Sequence, residues 1–316
     1  MSLIVASQLE PEFNAGLAAL PFAPKVIEPP VGEPWLAAEQ ADVLVVRPSP
    51  EWRALRGAPS PASWPGKLRW VCSASAGIDS YPAWLLDAPL VTCGRGTASE
   101  EIADYVIAAI YLRAKDLAAA SIRSAADWRF VPLGRFAGAT IGVVGLGAIG
   151  QAVARRALAL GARVVAVRRG SAGAVTPEGV ELLGSVEAVV AQADHIVISV
   201  PATLETRHLF GPKLLAQAKP GAHLINIARG SVVDQAALLA ALDAGQLAFA
   251  TLDVTDPEPL PEGHALYTHP QVRITPHISS NYQAVRHRLF DKLSQDLTRF
   301  ARGEAPSDIV DRTRGY

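Results

Sequence analysis

The sequence predicts an α/β protein with doubly wound parallel sheets in two domains. Three observations carry this. Short apolar runs alternate with helix-like segments, the pattern that βα units produce. The alternation occurs twice along the 316 residues, a length suited to about two domains of ~150 residues each. A glycine cluster, Gly145 to Gly150, stands between an apolar run and a helix-like stretch of the second series.

In the first series the strand candidates are SLIVAS (2–7), KVIE (25–28), ADVLVVRP (41–48), LRWVCSAS (68–75) and LVTC (90–93). Segments between them, such as PEFNAGLAAL, read as helices or loops. The stretch 99–124 reads as one long helix. Ser99 suits its N-cap, and acids fill its first turn, where the helix dipole favours them. The second series runs through ATIGVVG (139–145), RVVAVR (163–168), HIVISV (195–200), HLINIA (223–228), LAFATLDV (247–254) and VRITPH (272–277). Helical candidates lie between most of these, notably AIGQAVARRALAL and DQAALLAALDAG. The tail, 281–316, is helical and charged at first and then irregular.

Composition narrows the partners. Hydrophobic residues make up 50% and charged residues 19%, below the ~25% charged that is usual, so much of the chain is buried. A net charge of −1 argues against nucleic acid or an anionic membrane as partner. Cys72 and Cys93 form no disulfide framework and no metal spacing, so no metal site is expected and both read as buried thiols in a reducing compartment. The N-terminus has no basic region ahead of its short apolar run, unlike a signal peptide. Phe136 to Ala154 carries no charge and approaches the length of a membrane span. Its clustered glycines make a strand, a turn and a helix the better reading. A cytoplasmic protein is expected.

Gly145, Leu146, Gly147, Ala148, Ile149 and Gly150 fit G-x-G-x-x-G. The pattern alone is weak, but here it follows a strand, opens a helix and precedes a second strand, the context of a dinucleotide site. Gly145 allows the tight turn, Gly147 lets the backbone approach a pyrophosphate, and Gly150 lets helix pack on strand. The helix N-terminus then offers free N–H groups to phosphate. At the end of the second strand, about 20 residues on, NAD sites carry an acid for the ribose 2′-hydroxyl. Arg168 stands there instead. A guanidinium pairs with phosphate oxygens, Arg169 adds charge or stacks on adenine, and Ser171 adds a hydroxyl. NADP(H) is therefore the preferred cofactor, with NAD(H) as the alternative.

Three later segments each place a charged group at or just after a strand end. NIARGSVVD carries Arg229, LDVTDPEP carries Asp253 and Glu258, and ITPHISS carries His277. In doubly wound sheets, ligands bind at the carboxyl ends of strands. A guanidinium such as Arg229 can bind a carboxylate and polarise a carbonyl oxygen. Imidazole titrates near neutral pH, which suits His277 to exchange a proton. Glu258 can fix the ring and balance its charge. Six other histidines, His195, His208, His223, His264, His269 and His287, match no motif and read as structural or surface residues.

These segments, in this order, with the glycine cluster and VPAT…T (200–206), resemble the D-2-hydroxyacid dehydrogenase family over nearly the whole chain. The resemblance implies two similar Rossmann-like or flavodoxin-like domains with the active site in the cleft between them. It implies a cofactor domain, 96–280, inserted into a substrate domain formed by 1–95 and 281–316, and a homodimer. It makes Arg229 the substrate-binding arginine, His277 the acid/base, Glu258 its partner, and Asp253 a contact of the nicotinamide carboxamide. Val200, Pro201, Thr206, Ile227, Ala228 and Ser279 join Arg229 and His277 along the cofactor. SASAGIDS (73–80) matches the family's substrate loop, whose backbone N–H groups at Ser75, Ala76 and Gly77 would form an anion nest. Cys93 and Asp104 depart from the family pattern, which has asparagine and glutamate there.

The expected reaction is NADPH-dependent reduction of a small 2-oxo acid, of the glyoxylate or hydroxypyruvate type, to the D-2-hydroxy acid. One alternative is oxidation of phosphite or another small anion on the same scaffold. A formate enzyme would place glutamine before the histidine, where this chain has Pro276. The other alternative is a non-catalytic nucleotide-sensing protein akin to transcriptional co-repressors, which would not need Arg229, Glu258 and His277 together.

Overall fold

A computed structural model describes residues 2–170 and 176–316. Ser171, expected at the cofactor, lies outside them. The chain forms two compact units: Met1–Thr97 with Tyr282–Tyr316, and Ala98–Asn281.

The first unit is built on five parallel strands: β1 (Ile4–Ser7), β2 (Lys25–Ile27), β3 (Val43–Val46), β4 (Trp70–Ser73) and β5 (Val91–Cys93). Their order is β2-β1-β3-β4-β5. All four residues of β3 are fully buried, which explains its unbroken apolar run rather than an alternating one. Cys72 and Cys93 are buried free thiols. The helix Tyr282–Ala301 covers one face of this sheet with Leu289, Leu293 and Leu297. The chain end then pairs Ile309 with Thr92.

The second unit holds seven strands, again all parallel. They are β6 (Thr140–Val144), β7 (Arg163–Val167), β8 (Val180–Leu182), β9 (His195–Ile198), β10 (Ala222–Asn226), β11 (Leu247–Leu252) and β12 (Val272–Ile274). The order β12-β11-β10-β9-β6-β7-β8 reverses direction beside β6, the switch point where such sheets bind ligands. Successive residues serve opposite faces. Ile196, Ile198 and Leu224 enter one core, while Val197 and Ile225 enter the other. Each such side chain contributes about 1.5–3 kcal/mol on burial.

Three details differ from expectation. Strand β8 was not foreseen; it has three residues at the sheet edge, too few for a period-two pattern. The stretch 99–124 is not one helix. It runs Ser99–Lys115 and stops at Asp116, whose backbone is left-handed (φ 30°). The Asp116 carboxylate accepts from the Ala119 amide at 3.2 Å, a local bond that competes with helix continuation. Ser99 is not the N-cap either: Ala98 holds that position, and the Ser99 hydroxyl is buried with no partner among the described residues.

Among the described residues, no helix is long and apolar enough to cross a membrane, and no group of acidic, His or Cys side chains could hold a metal. The uncharged stretch 136–154 is β6, a turn and the helix Ala148–Ala159.

Candidate active site

The glycine loop leaves β6 and opens the helix Ala148–Ala159. Its three glycines answer to different demands. Gly145 has φ +103°, and a Cβ there would meet the Ser199 carbonyl oxygen at 2.7 Å. A Cβ on Gly150 would collide with the Gly145 carbonyl oxygen. Both are required by the chain's own packing. Gly147 differs: its φ is −81°, open to any residue, and a Cβ there would touch nothing within 4 Å among the described residues. None of those residues calls for glycine at this position, which fits a ligand backed directly onto the main chain. Gly147 caps the helix without a side chain, so Ala148 and Ile149 present amides at the helix N-terminus, suited to a pyrophosphate. Leu146 is buried beneath the loop. The residues present fit a dinucleotide.

The neighbouring strand ends converge on this loop. The Gly145 amide donates to the Val167 carbonyl at 3.0 Å, so the next residue, half-buried Arg168, sits at the loop's flank with exposed Arg169 beyond it. Arg169 acts on Glu205, whose carboxyl lies below its usual range because of a hydrogen bond with Thr203 and, to a lesser degree, that arginine. Val200 and Pro201 follow β9. Thr206 is buried, and its hydroxyl donates to the Pro201 carbonyl at 2.7 Å, closing the turn 201–206. Ile227 and Ala228 follow β10 and are nearly buried.

Arg229, Glu258 and His277 follow β10, β11 and β12. His277 Nδ1 lies 2.7 Å from Glu258 Oε1. The Glu258 carboxyl is held below the usual glutamate range, first by its bond to His277 and also by the field of Arg229. Glu258 is therefore the carboxylate, which can only accept. The proton of the pair stands on Nδ1, and Nε2 is the atom that can exchange a proton with a ligand. Both side chains are nearly half exposed, 47% and 42%, so a substrate can reach them. Arg229 is half-buried, and its Nη1 donates to the Ala228 carbonyl at 2.7 Å.

Asp253 is 1% exposed. Its Oδ1 accepts from the Thr275 hydroxyl at 2.7 Å and the Ile278 amide at 2.8 Å; Oδ2 accepts from the Ser279 amide at 2.9 Å. The carboxylate thus grips both sides of His277 and binds Ser279, itself nearly buried.

Within the first unit, the loop after β4 carries Ser75, Ala76 and Gly77. The Ser75 amide donates to Ser73 Oγ at 3.2 Å, and Ser75 Oγ donates to the Gly77 carbonyl at 2.8 Å. Among the described residues, the Ala76 and Gly77 amides meet no acceptor.

Sequence reasoning missed several supports. Asn226 Oδ1 accepts from the Ala228 amide at 3.0 Å, and Nδ2 donates to the Arg229 carbonyl at 2.9 Å. These bonds shape the turn that presents Arg229. Gly230 lies so close to the Thr255 backbone that a Cβ would collide with it, which ties the Arg229 turn to the segment leading to Glu258. The Arg-Gly step was a readable signal; the pairing with Thr255 was not. His195 and His223, read as structural, are a buried pair with Nδ1 atoms 3.2 Å apart.

Comparisons with known proteins bear on this site. Residues 107–279 match the model for the D-isomer specific 2-hydroxyacid dehydrogenase, NAD binding domain. The chain is 32% identical to glyoxylate/hydroxypyruvate reductase A of Serratia proteamaculans (strain 568), over 86% of this chain and 87% of that one. It is 39% identical to the glyoxylate reductase of Thermococcus gammatolerans, where the match covers 55% of this chain and only 52% of the relative. A D-isomer specific 2-hydroxyacid dehydrogenase from Xanthobacter autotrophicus Py2, solved with NADPH and MES, has a similar structure. Its TM-score is 0.82 at 28% identity, covering 100% of this chain and 99% of that one. An NADPH-dependent glyoxylate/hydroxypyruvate reductase from Sinorhizobium meliloti, solved with NADP and sulfate, gives a TM-score of 0.77 at 26% identity, covering both chains fully at 100%. Two parallel sheets, a dinucleotide loop at a switch point and these matches lead to one conclusion: the chain belongs to the D-isomer specific 2-hydroxyacid dehydrogenase family and is an NAD(P)-dependent oxidoreductase.

Proposed function

We propose that the chain reduces a small 2-oxo acid, of the glyoxylate or hydroxypyruvate type, to the D-2-hydroxy acid, with NADPH preferred over NADH. The observation that carries the reading is the 2.7 Å pair of His277 and Glu258, with Arg229 close enough to act on Glu258. When bound, the reduced nicotinamide supplies the hydride. Arg229 holds the substrate carboxylate and draws electron density toward the keto oxygen. His277 gives its Nε2 proton to that oxygen, which becomes the hydroxyl. Glu258 accepts from Nδ1 and balances the imidazolium before the proton leaves. The family resemblance adds Ser75, Ala76 and Gly77 as proposed carboxylate contacts. Asp253 has a lone pair on Oδ2 left for the nicotinamide carboxamide.

Arg168 and Arg169 select the cofactor by pairing with its 2′-phosphate. The relatives solved with NADPH and NADP support this choice. The reading includes a cytoplasmic homodimer; exposed Leu117, Trp128 and Phe130 support self-association, which sedimentation tests. Nicotinamide absorbance with NADPH and NADH against a panel of 2-oxo acids tests the function. Turnover of glyoxylate or hydroxypyruvate with NADPH is expected, and no turnover of any member would overturn the reading.

A further inference from the structure

His277 has a left-handed backbone, with φ +55°. A side chain there is strained, and such a conformation persists only where neighbours over-determine it. The neighbours are clear. The His277 amide lies 2.9 Å from the carbonyls of Asp253 and Thr275. The Asp253 carboxylate holds Thr275 on one side of the histidine and Ile278 and Ser279 on the other. The acid/base therefore stands where Asp253 and Thr275 put it.

One more residue completes this arrangement. Tyr105, on the helix Ser99–Lys115, places its hydroxyl 2.6 Å from Thr275 Oγ1. A threonine hydroxyl has one hydrogen, and Thr275 gives it to Asp253. The Tyr105 hydroxyl must then be the donor. Burial raises the Tyr105 phenol above its ordinary value, so the proton stays available. The result is a directed chain from Tyr105 to Thr275 to Asp253, ending on a buried carboxylate, where each bond strengthens the next.

The same stretch of the helix is also tied elsewhere. Asp104 accepts from Arg156 Nε at 2.7 Å, and Glu100 pairs with Arg156 Nη2 at 2.7 Å. Arg156 belongs to the helix that the glycine loop opens. Adjacent residues, Asp104 and Tyr105, thus join the cofactor helix and the histidine loop through one rigid element.

We propose that Tyr105 is a positioning residue for His277, acting through Thr275 and Asp253 to register the proton donor against the cofactor helix. The proposal rests on the acid/base role given to His277 above. Tyr105→Phe keeps the ring and removes only the hydroxyl. Losing that bond should lower kcat about five- to ten-fold, with KM and the NADPH Kd unchanged and the melting temperature lowered by no more than about 6 °C. Thr275→Val, which breaks both links, should lower kcat further, and Thr275→Ser should retain most of it. Unchanged kcat in Tyr105→Phe would overturn the proposal. So would a parallel loss of NADPH affinity, or a fall in melting temperature beyond about 6 °C, which would mark a packing role alone. If the wild-type chain turns over no 2-oxo acid, the functional reading fails by itself. The ring resonances of His277 in the NADP-bound protein then decide: a shift in Tyr105→Phe supports the positioning chain, and identical resonances overturn it.

Discussion

The different demands on Gly147 and Gly150 make a sharp test of the cofactor loop. In Gly150→Ala the new methyl collides with the Gly145 carbonyl oxygen. That atom is backbone, itself held by the turn at φ +103°, and cannot swing aside as a side chain would. Overpacking costs about 1–3 kcal/mol and more where backbone must move; about 3 kcal/mol corresponds to a fall in Tm of roughly 6–12 °C for a unit of this size. In Gly147→Ala the methyl meets nothing among the described residues. The helix cap loses up to about 1 kcal/mol, offset by ~0.4–1 kcal/mol from the less flexible unfolded chain. Its Tm should stay within about 2 °C of wild type. With NADPH the effect should reverse in kind: if the pyrophosphate approaches Gly147 as proposed, ~1.4–2.8 kcal/mol of overpacking weakens binding roughly ten- to hundred-fold. Calorimetry of the ligand-free variants and NADPH fluorescence titration measure the two effects. Wild-type NADPH affinity in Gly147→Ala would refute the backbone-to-pyrophosphate reasoning, and a wild-type Tm in Gly150→Ala would refute the packing argument.

Replacing Arg168 and Arg169 together by alanine should weaken NADPH about 100-fold, as loss of charge-assisted bonds worth ~1.5–3 kcal/mol implies, and NADH far less; equal losses in equilibrium titrations would remove the case for a 2′-phosphate pocket. Glu258→Gln leaves an acceptor for His277 but no charge, and kcat should fall roughly ten- to hundred-fold at unchanged NADPH Kd; steady-state kinetics that match wild type would exclude Glu258 as the partner. Burial pushes His195 down to about 4 from 6.5, and His223 lies well below 6.5 for the same reason. Both are neutral when folded, while the unfolded chain binds protons below 6.5, so this contribution to stability is complete above pH 6.5 and is lost as pH falls toward 4. That lowering of His195 corresponds to about 3 kcal/mol. Denaturant unfolding across that window should show a shallower acid loss in His195→Gln, and an identical loss would contradict the buried-pair account.

The sequence by itself determined the local features. The doubly wound class, eleven of the strands, the glycine loop, and the placement of Arg229, Glu258 and His277 at strand ends are legible because each is a contiguous run with its own period or turn. Arg168 was legible as a cation because it directly follows a strand that the fingerprint locates. Only the tertiary structure decided how those groups are held. Tyr105 and Thr275 lie 170 positions apart, and Gly230 meets Thr255 across the sheet edge; neither pairing leaves a pattern in the sequence. The same holds for Asp253, whose carboxylate is largely engaged by the histidine loop. The stop at Asp116 depended on a side-chain bond that competes with a helix of good propensity, and β8 exists because a neighbouring strand offers it an edge. Periodicity reports what a segment does for itself, while hydrogen bonds between distant segments form only once the sheet has set their spacing.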